Sequence, residues 1–229
     1  MRILSIDTSC GAASAAVVDG SSRQSLVRRS EPMAQGHAEA LGPIVESLMR
    51  EVDGGFDSIG AIAVAVGPGS FTGIRIGLAM ARAMALTLEV PIIGVSTLVA
   101  FAAPLLGEPR PGVIVSAIDA KHGSVYFQAF ESSGRPFFAP RVASLREAVR
   151  AIGVGRAHMA GNAAKALALE AQRAGLAYDS PGAADYPDIV AIARIGLASD
   201  PRDCPPRPLY VKPPDARRTS ADAIARVEG

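Results

Sequence analysis

Tryptophan is missing from this 229-residue chain, and histidine and cysteine are scarce, at three and two residues. The two cysteines, Cys10 and Cys204, form neither a disulfide framework nor a CxxC pair of the zinc-binding kind. Hydrophobic burial must therefore hold the fold, and a reducing cytosol is the expected compartment. His37, His122 and His158 lie far apart in sequence, with no metal-ligand spacing. His37-Ala38-Glu39 begins like half of a zinc motif, but no second histidine follows at helical spacing. No Ser-His-Asp or Cys-His set assembles from the sequence.

Charge of one sign is not in excess either. The net charge is +1, so no general attraction for nucleic acid is expected. Pro201 to Arg218 is a local exception, with Arg202, Arg207, Lys212, Arg217 and Arg218 against Asp203 and Asp215. Its prolines read as extended chain, a solvated tail in preference to an RNA contact. Asp7 interrupts the apolar N-terminus, so no signal peptide is expected. The most apolar helical stretch, Ile74 to Leu88, carries Arg75 and Arg82 and reads as short of a bilayer span.

What is present is a chain that is 49% hydrophobic and 20% charged. That suits one large domain or two small lobes. Residues 2–7 and 12–18 are apolar runs joined by Thr8-Ser9-Cys10-Gly11, the pattern of a β-hairpin. A third strand is expected from Ser22 to Arg28. A helix from His37 to Val52 carries a stripe of Leu41, Ile44, Val45, Leu48, Met49 and Val52 at helical spacing. Pro43 inside it requires a later start or a bend. Ile59 to Val66 reads as a strand buried on both faces. Gly67-Pro68-Gly69 ends it, Ser70 or Thr72 caps the next helix, and that helix runs to about Glu89. Pro91 to Gly94 is a short strand, and a short helix starts at Ser96. This succession is parallel-sheet grammar.

A shift to proline, glycine and charge at Pro104–Pro111 places a boundary there, giving lobes 1–106 and 107–229. Val113 to Ile118 and Ser124 to Phe130 then form a second hairpin. Ile6-Asp7 followed by Gly11, and Ile118-Asp119 followed by Gly123, share one spacing at the two lobe openings. That suggests an internal duplication.

In a duplicated two-lobe fold each hairpin turn can aim backbone N–H groups at a phosphate, with an aspartate holding Mg²⁺ or its water. Either Asp7 and Asp119 face each other across such a cleft, or each bonds its own turn. The loop Gly67–Gly73 lacks the Gly-Lys-Ser/Thr ending of a Walker loop and reads as a tight strand-to-helix turn. Gly73, Gly77, Ala81 and Ala85 form a ridge of small residues on a helix apolar nearly all round. A subunit interface is the preferred reading and core burial the alternative. The interface set is Leu41, Val45, Leu48, Gly73, Ile74, Gly77, Leu78 and Ala81.

Together these residues resemble the TsaB (YeaZ) family. The resemblance rests on Ile6-Asp7-Thr8-Ser9, His37-Ala38-Glu39, Gly67 through Gly77, Pro91 through Thr97, and Asp119-Ala120-Lys121 with Val125-Tyr126. It covers roughly the first 130 residues; beyond Glu131 it rests on Gly161-Asn162 and Pro208-Leu209-Tyr210. It implies an α/β fold of two duplicated actin-like, sugar-kinase-like (ASKHA) lobes, with mixed sheets covered by helices. It also implies an accessory, non-catalytic subunit. Such a subunit pairs with the TsaD-type catalytic paralogue and a TsaE-type ATPase to move threonylcarbamoyl from its adenylate to the tRNA adenosine beside the anticodon. It would meet tRNA only through the complex and form a homodimer when alone. The paralogue's His-x-x-x-His metal pair falls here on Thr97 and Phe101, which are not replacement ligands. No metal and no resident cofactor are expected. A weak ATP/ADP–Mg²⁺ site, formed alone or only in the complex, would use Asp7, Thr8, Ser9, Asp119, Lys121, Gly161 and Asn162. A kinase-type nucleotide enzyme and, against the missing ligands, a metallopeptidase are the alternatives.

Overall fold

A computed structural model describes residues 1–211. Lys212, Asp215, Arg217 and Arg218 of the basic segment lie outside the described residues. The chain opens with β1 (Arg2–Cys10) and β2 (Ala12–Asp19), paired antiparallel with Asp7 opposite Ser14 and the turn at Gly11. β3 (Ser25–Pro32) extends the meander, later than the expected Ser22–Arg28. The delay has a local cause. Asp19 Oδ1 accepts from the backbone N–H groups of Ser21 and Ser22, which holds that stretch as a turn.

The first lobe continues with α1 (His37–Glu51), β4 (Ile59–Gly67), α2 (Phe71–Leu88), β5 (Ile92–Ser96) and α3 (Thr97–Ala102). α1 begins at His37 and runs through Pro43. Ser70 caps α2, its hydroxyl accepting from Gly73 N–H at 3.2 Å. The second half holds β6 (Val113–Asp119), β7 (Ser124–Phe130), β8 (Arg141–Ser144), α4 (Leu145–Ile152), β9 (Ala157–Ala160), α5 (Ala164–Arg173), β10 (Tyr178–Gly182) and α6 (Ile189–Ala198).

Two five-stranded sheets result, in the orders β3-β2-β1-β4-β5 and β8-β7-β6-β9-β10. Each is an antiparallel meander followed by two parallel strands. The halves thus repeat one topology, strand for strand and helix for helix. The repeat is not residue for residue at the shared Ile-Asp pattern. Ile6 packs on the α1–α2 side of its sheet, among Leu41, Leu48 and Leu78. Ile118 points to the opposite side of its own sheet, among Leu98 and Phe101 of α3. The two Ile-Asp pairs are out of phase by one strand position, so their aspartates face different surroundings.

The lobes also exchange helices. α3, which follows the first sheet, packs on the second, with Leu98, Phe101 and Ala102 against Ile114, Ile118 and Phe130. α6, which follows the second sheet, packs on the first, with Ile189, Val190, Ile192 and Ala193 against Ile3, Ala16, Ala61 and Ala63. The expected second lobe 107–229 is corrected accordingly. From Ile189 the chain belongs to the first sheet, because the inner face of that sheet needs an apolar cover. The segment Cys204–Tyr210 continues along the first lobe, with Gly94 N–H donating to Cys204 O and Leu209 N–H donating to Val66 O. It is not a solvated tail over those residues.

The interface set is corrected as well. Leu41, Val45, Leu48, Gly73, Ile74, Gly77, Leu78 and Ala81 are all buried within the single chain. The small-residue ridge faces β1. A Cβ on Gly73 would stand 1.9 Å from Thr8 O, and one on Gly77 would stand 2.7 Å from Thr8 Oγ1. α2 is by length and composition apolar enough to cross a membrane, at mean hydropathy 1.3 over 18 residues. In the fold it lies against β1 and β4 with Arg75 and Arg82 exposed.

Gly77→Ala places a methyl against the Thr8 hydroxyl and should cost about 1–3 kcal/mol of stability through overpacking. Leu48→Ala should cost about 2–5 kcal/mol through the cavity it leaves. Denaturant unfolding of each variant measures both. A loss near zero would mean that these side chains face solvent or a partner and not the core.

Candidate functional site

A cleft of about 690 Å³ opens between the two hairpin turns and is lined from both lobes. The first lobe contributes Ser9, Cys10 and Gly11 from the β1–β2 turn, His37 from the start of α1, and Ser70 and Phe71 from the start of α2. The second contributes Asp119, Lys121 and His122 from the β6–β7 turn, with Tyr126, Asn162 and Asp185. The turns converge because β1 and β6 are the central strands of their sheets and both end at this cleft.

Of the expected nucleotide-site residues, Ser9, Asp119, Lys121 and Asn162 line the cleft. Asp119, Lys121 and Asn162 are also wired together within the second lobe. Asp119 N–H donates to Asn162 Oδ1 at 2.8 Å, Lys121 N–H donates to Asp119 Oδ1 at 2.8 Å, and Lys121 Nζ lies 3.3 Å from Asp119 Oδ2. The Asp119 side chain is 47% exposed, so this ion pair is well solvated and adds little stability.

Asp7, Thr8 and Gly161 do not line the cleft. Asp7 is fully buried. Its Oδ1 accepts from Ser9 N–H at 2.8 Å, the same two-residue turn that Asp119 makes with Lys121. Its Oδ2 is buried without a partner. Burial holds the carboxyl well above its ordinary pKa of 3.8, against the opposing effect of the Ser9 hydrogen bonds. Thr8 is also buried, its hydroxyl donating to Gly73 O at 2.6 Å. Gly161 is a close-approach position: its φ is +101°, and a Cβ there would stand 2.2 Å from Ala117 O. The picture of Asp7 and Asp119 facing each other across a cleft is therefore corrected. One carboxylate borders the cleft, and the other lies beneath its floor.

Sequence reasoning missed several lining residues. His37 is buried at the start of α1, its Nε2 3.1 Å from Cys10 O, so it braces the β1–β2 turn and is not a surface residue. Asp185 comes from the loop before α6 and carries no motif; only the return of that loop to the first lobe brings it here. Thr97 and Phe101 sit together on α3 and are buried. Thr97 Oγ1 donates to Ser9 Oγ at 3.1 Å, and Phe101 packs against the second sheet with Ile114, Ile118 and Phe130. Burial, then the nearby Asp7, pushes the Cys10 thiol far above its ordinary value of 9.0, which makes it a poor nucleophile. Among the described residues no three His, Cys, Asp or Glu side chains gather as a metal site. What the cleft offers is two exposed carboxylates, Asp119 and Asp185, with one ammonium and an amide, a set suited to holding a polar ligand and, among the described residues, without a nucleophile–base pair.

A family model described as "TsaD: tRNA N6-adenosine threonylcarbamoyltransferase" matches residues 31–180, more than half of the chain. The chain is similar to the tRNA threonylcarbamoyladenosine biosynthesis protein TsaB of Escherichia coli (strain K12), at 35% identity over 131 residues, covering 57% of this chain and 55% of that protein. It is similar to the same-named protein of Bacillus subtilis (strain 168), at 38% over 94 residues, covering 41% and 40%. A tRNA N6-adenosine threonylcarbamoyltransferase of Syntrophotalea carbinolica is 28% identical over 233 residues, covering 93% of this chain and 60% of that one. The chain spans about half the length of the first TsaB relatives it matches. Among solved structures, YeaZ from Pseudomonas aeruginosa aligns with a TM-score of 0.70 at 22% identity, covering 91% of this chain and 99% of that one. A polyphosphate/ATP-glucomannokinase from Arthrobacter aligns with a TM-score of 0.50 at 12% identity, covering 86% and 98%. The fold is the two-lobed, actin-like and sugar-kinase-like (ASKHA) arrangement of mixed sheets covered by helices.

Asp7→Asn tests the buried carboxyl. Because its folded pKa lies above 3.8, the folded state keeps the proton longer than the unfolded chain. Stability from this group is fully present below the unfolded value and declines as pH rises through the folded one, by at most about 1.4 kcal/mol per pH unit. Denaturant titrations should show the asparagine variant gaining on the native chain from about pH 4 upward. A difference independent of pH would contradict the buried carboxylate.

Proposed function

We propose that this chain, which belongs to the TsaD family and within it to the TsaB (YeaZ) group, is a non-catalytic accessory subunit in making threonylcarbamoyladenosine in tRNA. It binds a TsaD-type catalytic paralogue in the cytosol, works beside a TsaE-type ATPase, and meets tRNA through that complex. The observation that carries the reading is at positions 97 and 101. There the catalytic paralogue's metal-ligand pair is replaced by a hydroxyl bonded to Ser9 and a phenyl packed against the second sheet. Neither can act as a Lewis-acid ligand pair for carbamoyl transfer.

The partner surface is the outer side of α2, in place of the eight buried residues first expected. Leu86 is 82% exposed, Ala79 and Ala83 are exposed beside it, and Ile76, Met80 and Met84 are half-buried along the same helix. A helix that keeps methionines, alanines and a leucine at its surface suits an apolar partner helix. The same side serves a homodimer when the chain is alone. Nucleotide binding in the lone chain is weak, since Asp7 is sequestered and Asp119 is already bonded to Lys121 and its own turn.

Incubated alone with threonylcarbamoyl-adenylate and unmodified tRNA, the chain should yield no modified adenosine; with the paralogue and the ATPase it should support modification. Modification by the lone chain at the full set's rate would refute the accessory role. Leu86→Glu should change the unfolding free energy by no more than an ordinary surface substitution does, about ±0.5 kcal/mol, and abolish capture by the paralogue. A folded variant that still associates fully would place the surface elsewhere.

A further inference from the structure

After α6 the described chain stays on the molecule as far as Tyr210. The stretch Cys204–Tyr210 crosses the end of the first sheet and runs beside α2. It is fastened at both ends by backbone hydrogen bonds: Gly94 N–H donates to Cys204 O at 2.8 Å, and Leu209 N–H donates to Val66 O at 2.7 Å. Between these bonds the Arg82 guanidinium donates to Pro206 O. Beyond them Arg75 Nε donates to the Tyr210 hydroxyl at 3.2 Å. The Arg75 guanidinium carbon also lies over the Phe71 ring, 3.7 Å from its centre, and Phe71 lies 5.2 Å from the Tyr210 ring. Arg75 and Arg82 are two turns apart on one side of α2, so the segment holds the helix along two turns.

The fit is close on the sheet side too. A Cβ on Gly94 would stand 2.6 Å from Pro205 O, and one on Gly67 would stand 3.3 Å from Leu209 O. Cys204 packs against the cluster beneath α6, and Leu209 against the cluster beneath α2. On its inner side the start of α2 is held by backbone contact, with Ser70 N–H donating to Ser9 O and the Thr8 hydroxyl donating to Gly73 O. The aromatic–guanidinium group adds a second, side-chain hold on the outer side.

We propose that Cys204–Tyr210 is a latch that sets the pose of the first turns of α2, with Arg75, Phe71 and Tyr210 as positioning residues for the partner-binding side of that helix. This rests on the accessory-subunit reading above. None of the three needs to touch the partner. Closing the latch holds α2 in the pose the partner engages; opening it leaves the two sheets folded and weakens association.

The test uses the full chain and the purified catalytic paralogue. Tyr210→Ala should speed hydrogen exchange at the amides of Gly94, Leu209 and Ile74 by about tenfold or more, leave those of Val115 and Phe127 unchanged, and weaken capture of the paralogue by about tenfold. Tyr210→Phe keeps the ring against Phe71 and should restore most of the capture. Arg75→Ala with Tyr210→Ala should weaken capture no further than the stronger single change, because both act through one contact. Undiminished capture by Tyr210→Ala overturns the latch, and so does unchanged exchange at Gly94 and Leu209. Failure of the native chain to capture the paralogue overturns the subunit reading instead.

Discussion

The approach of α2 to the end of β1 is the constraint on which the rest of the first lobe depends. Ser70 N–H donates to Ser9 O, the Thr8 hydroxyl donates to Gly73 O, and the glycines at 69, 73 and 77 leave room for the strand's backbone. A side chain at Gly69 would meet Ser9 O at 2.3 Å. Backbone-to-backbone contact of this kind is short and directional. It sets where α2 starts, how the β1–β2 turn is held, and how deeply Thr8 and Asp7 are buried. Ser9 extends the chain of contacts to α3 through Thr97. One strand end thus fixes two helices and the floor of the cleft.

The exchange of α3 and α6 makes the two halves interdependent. Each half folds its own meander and parallel pair, yet the inner face of each sheet is covered by the helix that follows the other. Ser5 Oγ donating to Ile189 O at 3.0 Å pins α6 to the first sheet from within. The cleft is a consequence of this arrangement, because the crossing helices hold the two hairpin turns face to face. The duplicated topology coexists with a shifted phase: Ile6 and Ile118 look to opposite sides of their sheets, and the aspartates beside them diverge in burial. A duplicated fold carries a symmetric scaffold here and an asymmetric site.

That asymmetry is consistent with the accessory role proposed above. The Asp7 carboxylate beneath the floor cannot reach a cleft ligand, and that of Asp119 at the rim is already bonded to Lys121 and its own turn. The Cys204–Tyr210 segment adds a further asymmetry. It occupies the outer end of the first sheet and ties Phe71, at the mouth of the cleft, to the exposed side of α2. Cleft, helix and segment are thereby joined through a few side chains and two backbone hydrogen bonds.

Much of the first lobe could be read from local pattern. The hairpin, α1, β4 and α2 appear in the sequence because alternation, helical spacing and glycine–proline punctuation act within a few residues. Past Glu131 the elements went unread, since β8 and β9 are four residues each and the buried side of α5 is Ala164, Leu167, Ala168 and Ala171, mostly too small to stand out as a stripe. The sequence by itself determined that Gly73, Gly77 and Ala81 share one side of a helix, that Thr97 and Phe101 cannot hold a metal together, and that an Ile-Asp pair lies near the end of each central strand. Only the tertiary structure decided that the small side meets β1 and not another chain, that Asp7 is sealed while Asp119 is wet, that α6 returns to the first sheet, and that Tyr210 reaches Arg75. The physical reason is range. Periodicity and turn chemistry are set by neighbours along the chain, whereas burial and pairing depend on which distant segment arrives to remove the water.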